Sequence, residues 1–198
     1  AAAAASTGSI EITSSSGAYV VSENSFTYIE EGVVTDVSPA TGQLNTIVTI
    51  TGTNLRGGGD AVESVTLAGV DVALNTENNT QVTVTAADTD PATGDIVLTA
   101  NTGAYVTSED AFEFLELGSI DEISPASGQV GTSVTITGAR LFGGGDSVAS
   151  VFLGDTAVHS VDSESTEEIV VTVDEHDESS DVDVVVTADT GATVTGVD

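Results

Sequence analysis

The residues that could carry chemistry in this chain are carboxylates that follow glycine-rich stretches. The sequence GGGD ends at Asp60 and again at Asp146. A glycine-rich loop that cradles phosphate continues into Lys-Ser/Thr and a helix, and neither stretch has that continuation. One carboxylate per loop also falls short of the oxygen ligands that a Ca²⁺ site requires. We therefore interpret both stretches as turns in which glycine permits positive φ and expect no metal site there; Asp60 and Asp146 are the candidate ligands if one exists.

A second carboxylate-rich stretch, DEHDESSDVD, spans residues 174–183. It could bind divalent cations or form a solvated loop, and its absence at the corresponding place in the first half of the chain favours the loop. The two histidines, His159 and His176, also occur only in the second half. No Ser/His/Asp arrangement or carboxylate pair can be distinguished from the general acidity. We expect a protein that is not an enzyme and has no resident cofactor.

The charge balance excludes several classes of partner. The chain has 32 acidic residues, two basic residues and a net charge of −30. Such a surface repels nucleic acid and anionic lipid, so neither is an expected partner. No apolar run approaches the roughly 18 residues of a membrane helix, and we expect no membrane insertion. Two interpretations of the acidity fit: adaptation to high salt, where charges are screened, or a surface that collects Ca²⁺.

The chain repeats itself with a period of 86 residues: VTITGTNLRGGGD at 48–60 returns as VTITGARLFGGGD at 134–146. Both copies are predicted to form short strands, rich in β-branched residues and separated by turn residues, which is the pattern of a β-sandwich. Comparison of the copies also assigns strand faces. Val48 and Ile50 are unchanged in the second copy, whereas Ile47 becomes serine. Because side chains alternate across a strand, Val48 and Ile50 are predicted to face inward.

SPATGQ and SPASGQ, the strands that end in TGTNL and TGARL, and the closing SEDAFEF together resemble the IPT/TIG family of immunoglobulin-like domains. The aromatic closing strand of that family is matched by Phe112 and Phe114. The resemblance implies an all-β chain of tandem immunoglobulin-like sandwiches, each of about 85–90 residues. Members occur in cell-surface receptors, in secreted repeat proteins, beside polysaccharide-acting enzymes and in some transcription factors. Family membership alone therefore fixes no function.

The repeat predicts four segments. They are a linker or unassigned stretch at 1–8, the last two strands of a preceding or neighbouring repeat at 9–31, a first domain at 32–117, and a second domain at 118–198 that lacks its final strand.

The two ends suggest how the repeats continue. Residues 9–31 correspond to 95–117, and the second domain stops before its AFEF strand. Either the chain is a window on a longer array, or subunits complete one another by strand addition in a head-to-tail homopolymer. The residues predicted to form that strand-complementation interface are Ile10, Ile12, Val20, Phe26 and Tyr28.

Differences between the copies suggest other contacts. Phe142 replaces Arg56 and Phe152 replaces Thr66, and strand alternation places Phe152 on the outward face. The two phenylalanines could form an exposed partner surface on the second domain, or a phenylalanine could lie over its own sheet edge. Asn78 begins the sequence Asn-Asn-Thr, a glycosylation acceptor if the chain is exported.

We expect from these features an extracellular or cell-surface structural protein, a subunit or segment of a filament, stalk or surface layer in a halophilic or marine setting. The alternative is an adhesin or glycan-binding module of a larger secreted protein. Tyr19 and Tyr105, which recur in the GAYV strand, are the candidates for contact with a sugar.

Overall fold

The computed structural model describes residues 5–175 and 182–196, which form strands and turns. The expectation of an all-β chain is confirmed. The N-terminal segment forms a hairpin of β1 (Ser6–Thr13) and β2 (Tyr19–Tyr28). The first domain contains β3 (Val33–Ser38), β4 (Thr41–Gly42), β5 (Ile47–Thr53), β6 (Val62–Leu67), β7 (Val70–Glu77), β8 (Gln81–Thr85), β9 (Ala92–Ala100) and β10 (Tyr105–Phe114). The second contains β11 (Ser119–Ser124), β12 (Ser133–Ala139), β13 (Val148–Leu153), β14 (Thr156–Ala157), β15 (Ser160–Glu164), β16 (Glu168–Thr172), β17 (Val184–Ala188) and β18 (Thr193–Gly196).

The eight strands of the first domain form a continuous sheet in the order β3-β5-β8-β7-β6-β9-β10-β4. Strand β7 joins the two layers of the sandwich. Its first residues, 70–72, pair with β6, and its later residues, 73–77, pair with β8. The sheet can therefore close over one core without a break in its hydrogen bonding.

The second domain has the same strands divided into two sheets, β11-β12-β16-β15 and β14-β13-β17-β18. The region equivalent to β7 is interrupted between β14 and β15. Strand β14 pairs with β13, the equivalent of β6, and β15 pairs with β16, the equivalent of β8. The two short strands together therefore keep the pairing that β7 makes in the first domain. The repeat therefore keeps its layer arrangement while losing one continuous strand.

The predicted strand faces are confirmed. Val48 and Ile50 are fully buried, whereas Ile47 is 50% exposed. The equivalent Val134 and Ile136 are also buried in the second core. This pattern follows from the pleat, because residues two positions apart point to the same layer.

The glycine-rich stretches form turns, as predicted. Gly57 and Gly58 have φ of 51° and 80°, and Gly143 and Gly144 have φ of 55° and 94°. Side chains are rare in this left-handed region, so glycine suits both loops. Within residues 5–175 and 182–196 there is no helix with the length and hydrophobicity needed to cross a bilayer.

Candidate interaction surfaces

The two domains meet at a joint built around Gln43. This side chain directly follows β4 and is only 1% exposed. Its Nε2 donates to the carbonyl oxygen of Thr193 at 2.9 Å, and its Oε1 accepts from the backbone N–H of Gly118 at 2.7 Å. The donor and the acceptor end of the amide are therefore both satisfied between the domains, as burial of a polar group requires.

Backbone hydrogen bonds surround this contact. The N–H of Ile47 donates to the carbonyl of Thr190 at 2.8 Å, and the N–H of Thr193 donates to the carbonyl of Leu44 at 3.3 Å. Asn45 adds a bond from its Nδ2 to the Oγ1 of Thr193 at 2.8 Å. The stretch between β4 and β5 is thus held against the β17–β18 turn by main chain and side chains together.

The second GGGD loop lies directly against the joint. A Cβ at Gly143 would come within 2.8 Å of the Cδ and Nε2 atoms of Gln43. Such a distance is sterically forbidden unless one of the groups moves. Glycine is therefore needed here both for its positive φ and for the close approach of Gln43. The sequence motif predicted the turn but not the neighbouring side chain that it accommodates.

The two arginines have structural roles. Arg140 donates from Nη2 to the carbonyl of Leu117 at 2.9 Å and from Nε to the carbonyl of Glu116 at 3.2 Å, which holds the linker between the domains. Its ion pair with the Glu116 carboxylate, at 3.3 Å, is exposed and contributes little by itself. The linker is therefore fixed mainly by backbone contacts.

Arg56 forms a bidentate pair with Glu77 inside the first domain. Its Nε and Nη2 donate to the two carboxylate oxygens at 2.8 and 2.9 Å, and the N–H of Val62 adds a third bond at 3.2 Å. The hydrogen bond from Arg56 lowers the pKa of Glu77, and the same bond raises the pKa of Arg56. In the second domain Glu164 accepts the equivalent bond from Val148 at 3.1 Å, with Phe142 in place of the arginine.

The predicted partner surface of Phe142 and Phe152 is wrong for Phe142. That ring is only 8% exposed and belongs to the core of the second domain. Phe142 lies in a turn that follows Arg140, whose φ is 51°, and the alternation that assigns strand faces does not apply there. Phe152 is half-buried on β13, beside Ala157 of β14. An aromatic patch formed by both rings is therefore absent from the described surface.

The N-terminal hairpin exposes residues of a core type. Its predicted interface residues Ile10, Ile12, Val20, Phe26 and Tyr28 are all exposed. The rings of Phe26 and Tyr28 nevertheless pair edge to face, with centroids 4.9 Å apart at 75°. Phe112 and Phe114 make the same pair at 5.1 Å and 79° inside the first core. The hairpin thus has the internal geometry of a closing strand pair without a core against it.

Three of those five residues have counterparts in the second domain. The positions equivalent to Ile10, Ile12 and Val20 are occupied there by Val184, Val186 and Val194, which are buried. Phe26 and Tyr28 have no counterpart among the described residues of that domain. Strand complementation of the second domain therefore stays a prediction for the lower half of the hairpin, which carries these two rings.

Among the described residues, no strand pairs with the edge of the second domain that would receive this strand. In the first domain Thr41–Gly42 pairs in parallel with residues 113–114, and Gly42 is buried. The equivalent residues 127–128 lie outside any strand and are exposed, as is Gln129. Residues 124–129 of the second domain thus nearly repeat the sequence of residues 38–43, which lead into the joint, but residues 127–129 are exposed.

The candidate metal ligands lie in separate domains. The backbone N–H of Asp60 donates to Oδ1 of Asn101 at 3.1 Å, and that of Asp146 donates to Oδ1 of Asp189 at the same distance. Across the part of the chain that the structure describes, no three His, Cys, Asp or Glu residues are grouped to hold a metal ion. His159 is exposed on the surface. His176 and most of the acidic run lie outside the described residues.

Asn78 lies exposed in the turn between β7 and β8. Its Oδ1 accepts bonds from the N–H and the Oγ1 of Thr80 at 2.8 and 2.9 Å. The hydroxyl of the acceptor sequence is thus bonded to the asparagine side chain. Its modification stays a prediction.

A family model described as IPT/TIG domain matches residues 33–114 and 119–198. The chain belongs to the IPT/TIG domain family. The two matches cover both sandwiches, so the resemblance seen in the sequence is confirmed.

Solved structures with similar folds include two of the plexin A4 full extracellular region, with TM-scores of 0.52 and 0.56 and 24% identity. Each similarity covers 84% of this chain but only 17% and 15% of the plexin chains, so the chain spans a small part of their length. An SGBP-B protein from a xyloglucan utilization locus in Bacteroides uniformis is also similar, at 19% identity, 84% coverage of this chain, 48% of that chain and a TM-score of 0.35. No curated protein matches the sequence. At this level of identity the structures show the fold alone.

Proposed function

We propose that this IPT/TIG chain is a structural segment of an extracellular stack of domains that forms a filament, stalk or surface layer. The observation that carries the proposal is the joint at Gln43, a side chain buried between the domains and bonded to both. Domains in one chain are expected to move relative to one another unless their interface is large and hydrophobic. Here the restraint comes instead from the buried hydrogen bonds of Gln43 and the linker bonds of Arg140. A joint with satisfied polar groups and a tethered linker is suited to a rigid spacer in such a structure.

The acidity fits the same role. With 32 acidic and two basic residues, neighbouring modules repel one another at low ionic strength. At about 1 M salt the Debye length is about 3 Å, and contacts between such surfaces become feasible. A surface structure in brine or seawater meets this condition, whereas dilute media oppose it.

The hairpin supports continuation of the stack at the N-terminal side. Its five core-type residues suit a sandwich that supplies the remaining strands, and its aromatic pair repeats that of the first core. A preceding repeat of the same polypeptide would use all five residues. A neighbouring subunit would use chiefly Phe26 and Tyr28, because the second domain already has equivalents of the other three.

Two measurements test this function. Small-angle scattering of the monomer at moderate salt should fit one elongated particle with a fixed angle between the domains, since the joint is internal to the chain. Electron microscopy of the native particle should show a filament or an ordered layer. A broad distribution of interdomain angles, or native particles that are single and compact, would contradict the proposal.

A glycan-binding module is the second candidate, and one observation favours it. Tyr19 and Tyr105 are 66% and 74% exposed, and an exposed tyrosine offers a flat apolar face with a polar tip. Affinity electrophoresis in gels with polysaccharide provides the test: retardation should be lost in Tyr19→Ala and Tyr105→Ala but kept in Tyr28→Ala. Equal mobility with and without polysaccharide would exclude this candidate for the glycans tested.

A further inference from the structure

The end of the second domain repeats the local structure of the joint. In the first domain the N–H of Gln43 donates to Thr46 Oγ1 at 3.0 Å, and in the second the N–H of Gln129 donates to Thr132 Oγ1 at 2.9 Å. The return bonds, from the N–H of each threonine to the carbonyl of its glutamine, are 3.1 and 2.9 Å. Asn45 and the equivalent Gly131 also share positive φ, at 69° and 83°. Gln129 therefore has the backbone setting of Gln43, and among the described residues its side chain is exposed rather than buried in a joint.

The first domain presents the complementary surface at its opposite end. In the second domain the joint uses the N–H of Gly118, the carbonyl of Thr193 and the loop at Gly143. The repeat places Gly32, Tyr105 and Gly57 at these positions in the first domain. The hypothetical Cβ of Gly57 lies 2.9 Å from the Cβ of Ala104, and that of Gly143 lies 2.8 Å from the Cβ of Ala192, so the two loops are alike.

From this match we infer that the surface around Gln129 binds the N-terminal surface of a second copy of this chain. Gln129 donates from Nε2 to the carbonyl of the second copy's Tyr105 and accepts at Oε1 from the N–H of its Gly32. The inference rests on the proposed structural role and specifies the contact by which the stack continues. Both groups on the incoming copy are backbone groups, so the replacement of threonine by tyrosine leaves them available.

One pair of positions changes together between the two joints. Inside the chain, Asn45 bonds to Thr193 through their side chains at 2.8 Å. At the proposed contact the corresponding residues are Gly131 and Tyr105, a residue without a side chain opposite a large ring. The proposed contact therefore has no equivalent of the Asn45–Thr193 hydrogen bond, and the absence of a side chain at Gly131 leaves room for the ring of Tyr105. Tyr105 and Val130, now 74% and 61% exposed, would both be covered.

The same docking places residues 26–28 of the hairpin against residues 127–128 of the receiver. Residues 10–20 must turn away, because β17 and β18 of the receiver already occupy their equivalent positions. In the first domain residues 113–114 pair in parallel with residues 41–42. The equivalent pairing sets residues 27–28 of the incoming copy beside residues 127–128 of the receiver. Tyr28 and Phe26 then enter the region that Phe114 and Phe112 fill in the first domain. The joint and the lower half of the hairpin are thus parts of one contact surface.

Sedimentation velocity of the purified chain tests this inference. At about 2 M NaCl, where repulsion is screened, the sedimentation coefficient should rise with protein concentration. Gln129→Ala should weaken this association by about tenfold or more, since it removes a donor and an acceptor whose partners stay buried. Gln81→Ala, the same change at an exposed glutamine on β8, should associate as the unchanged chain does. A chain that stays monomeric at every concentration, or a Gln129→Ala variant that associates normally, would overturn the inference.

A rescue experiment separates the proposed contact from a general effect on folding. Gly131→Asn keeps a residue that tolerates the positive φ, as Asn45 does, but fills the space for Tyr105 and should weaken association. Adding Tyr105→Thr recreates the pair found in the internal joint and should restore it. Failure of rescue counts against this contact. The monomer scattering test of the structural role is independent of association, so the two proposals can fail separately.

Discussion

Gly118 donates its backbone N–H to the Oε1 of Gln43 across the domain boundary at 2.7 Å, and the other end of the same amide binds Thr193. Gln43→Glu keeps the shape but replaces the donor with a second carboxylate oxygen, which faces a carbonyl. A buried polar group without its partner costs about 1–3 kcal/mol, and a charged one more. We expect a lower free energy of unfolding in urea and, in small-angle scattering, a wider distribution of angles between the two domains. Gln129→Glu, the same change at an exposed position, should stay within about 0.5 kcal/mol. Equal effects would contradict the role of Gln43.

The buried face of β5 gives the second prediction. Ile50 is fully buried, and Ile50→Ala should lower the free energy of unfolding by about 2–5 kcal/mol, as large-to-small core changes do. Thr49, half-buried on the opposite face, should cost less than about 1 kcal/mol when changed to alanine. Chemical denaturation of the two variants is the measurement. Similar losses would show that the two faces of β5 are not energetically distinct.

Strand faces and turns were predictable because both depend on local rules. The unchanged Val48 and Ile50, and the variable Ile47 between them, reveal the pleat directly. The joint was not predictable in this way, since Gln43 and Thr193 lie 150 positions apart. The repetition of glutamine at 43 and 129 was a signal, because a polar residue kept in both copies requires a reason. Phe142 was misassigned because it was grouped with Phe152 as an exposed aromatic, although no local rule assigns the direction of a side chain in a loop.

The carboxylate of Glu77 gives a pH prediction. Its pKa lies below the ordinary value because Arg56 donates to it, so the pair stabilises the fold above the ordinary carboxyl pKa of about 4.3. This contribution is lost as the pH falls through the lower folded value. The difference in free energy of unfolding between the native chain and Glu77→Gln should therefore be present at neutral pH and shrink on acidification. Glu164 is the equivalent residue of the second domain and has Phe142 in place of the arginine, so the loss of free energy of unfolding in Glu164→Gln at neutral pH should be smaller. A difference for Glu77→Gln that is constant with pH would contradict the assignment.

The acidity predicts dependence on salt. With a net charge of −30, self-repulsion destabilises the compact state at low ionic strength. We expect the melting temperature to rise substantially between about 10 mM and about 1 M NaCl, as the Debye length falls from about 30 to about 3 Å. Millimolar Ca²⁺ at matched ionic strength separates screening from coordination, because only coordination raises the melting temperature further. Flat curves in both series would leave both explanations of the acidity without support.

The exposed aromatic pair of the hairpin gives the last prediction. Phe26 and Tyr28 are 51% and 61% exposed, so the combined change of both to aspartate should leave the melting of the first domain unaltered. Burial of two such rings contributes about 1.5–3 kcal/mol each, and two charges in their place oppose it. If these rings enter a neighbouring subunit, the double variant should form no filaments, as seen by electron microscopy. Tyr19→Asp, on the same hairpin, is the control, because its equivalent Tyr105 faces away from the first core.

Filaments of normal length from the double variant would refute complementation through these rings. Intact mass of denatured filaments then identifies the source of the covering domain. A species near the 19.7 kDa of this chain indicates separate subunits, joined through Phe26, Tyr28 and the Gln129 surface. A much larger species indicates a continuous array, in which the hairpin closes a sandwich of its own polypeptide and all five of its core-type residues are buried.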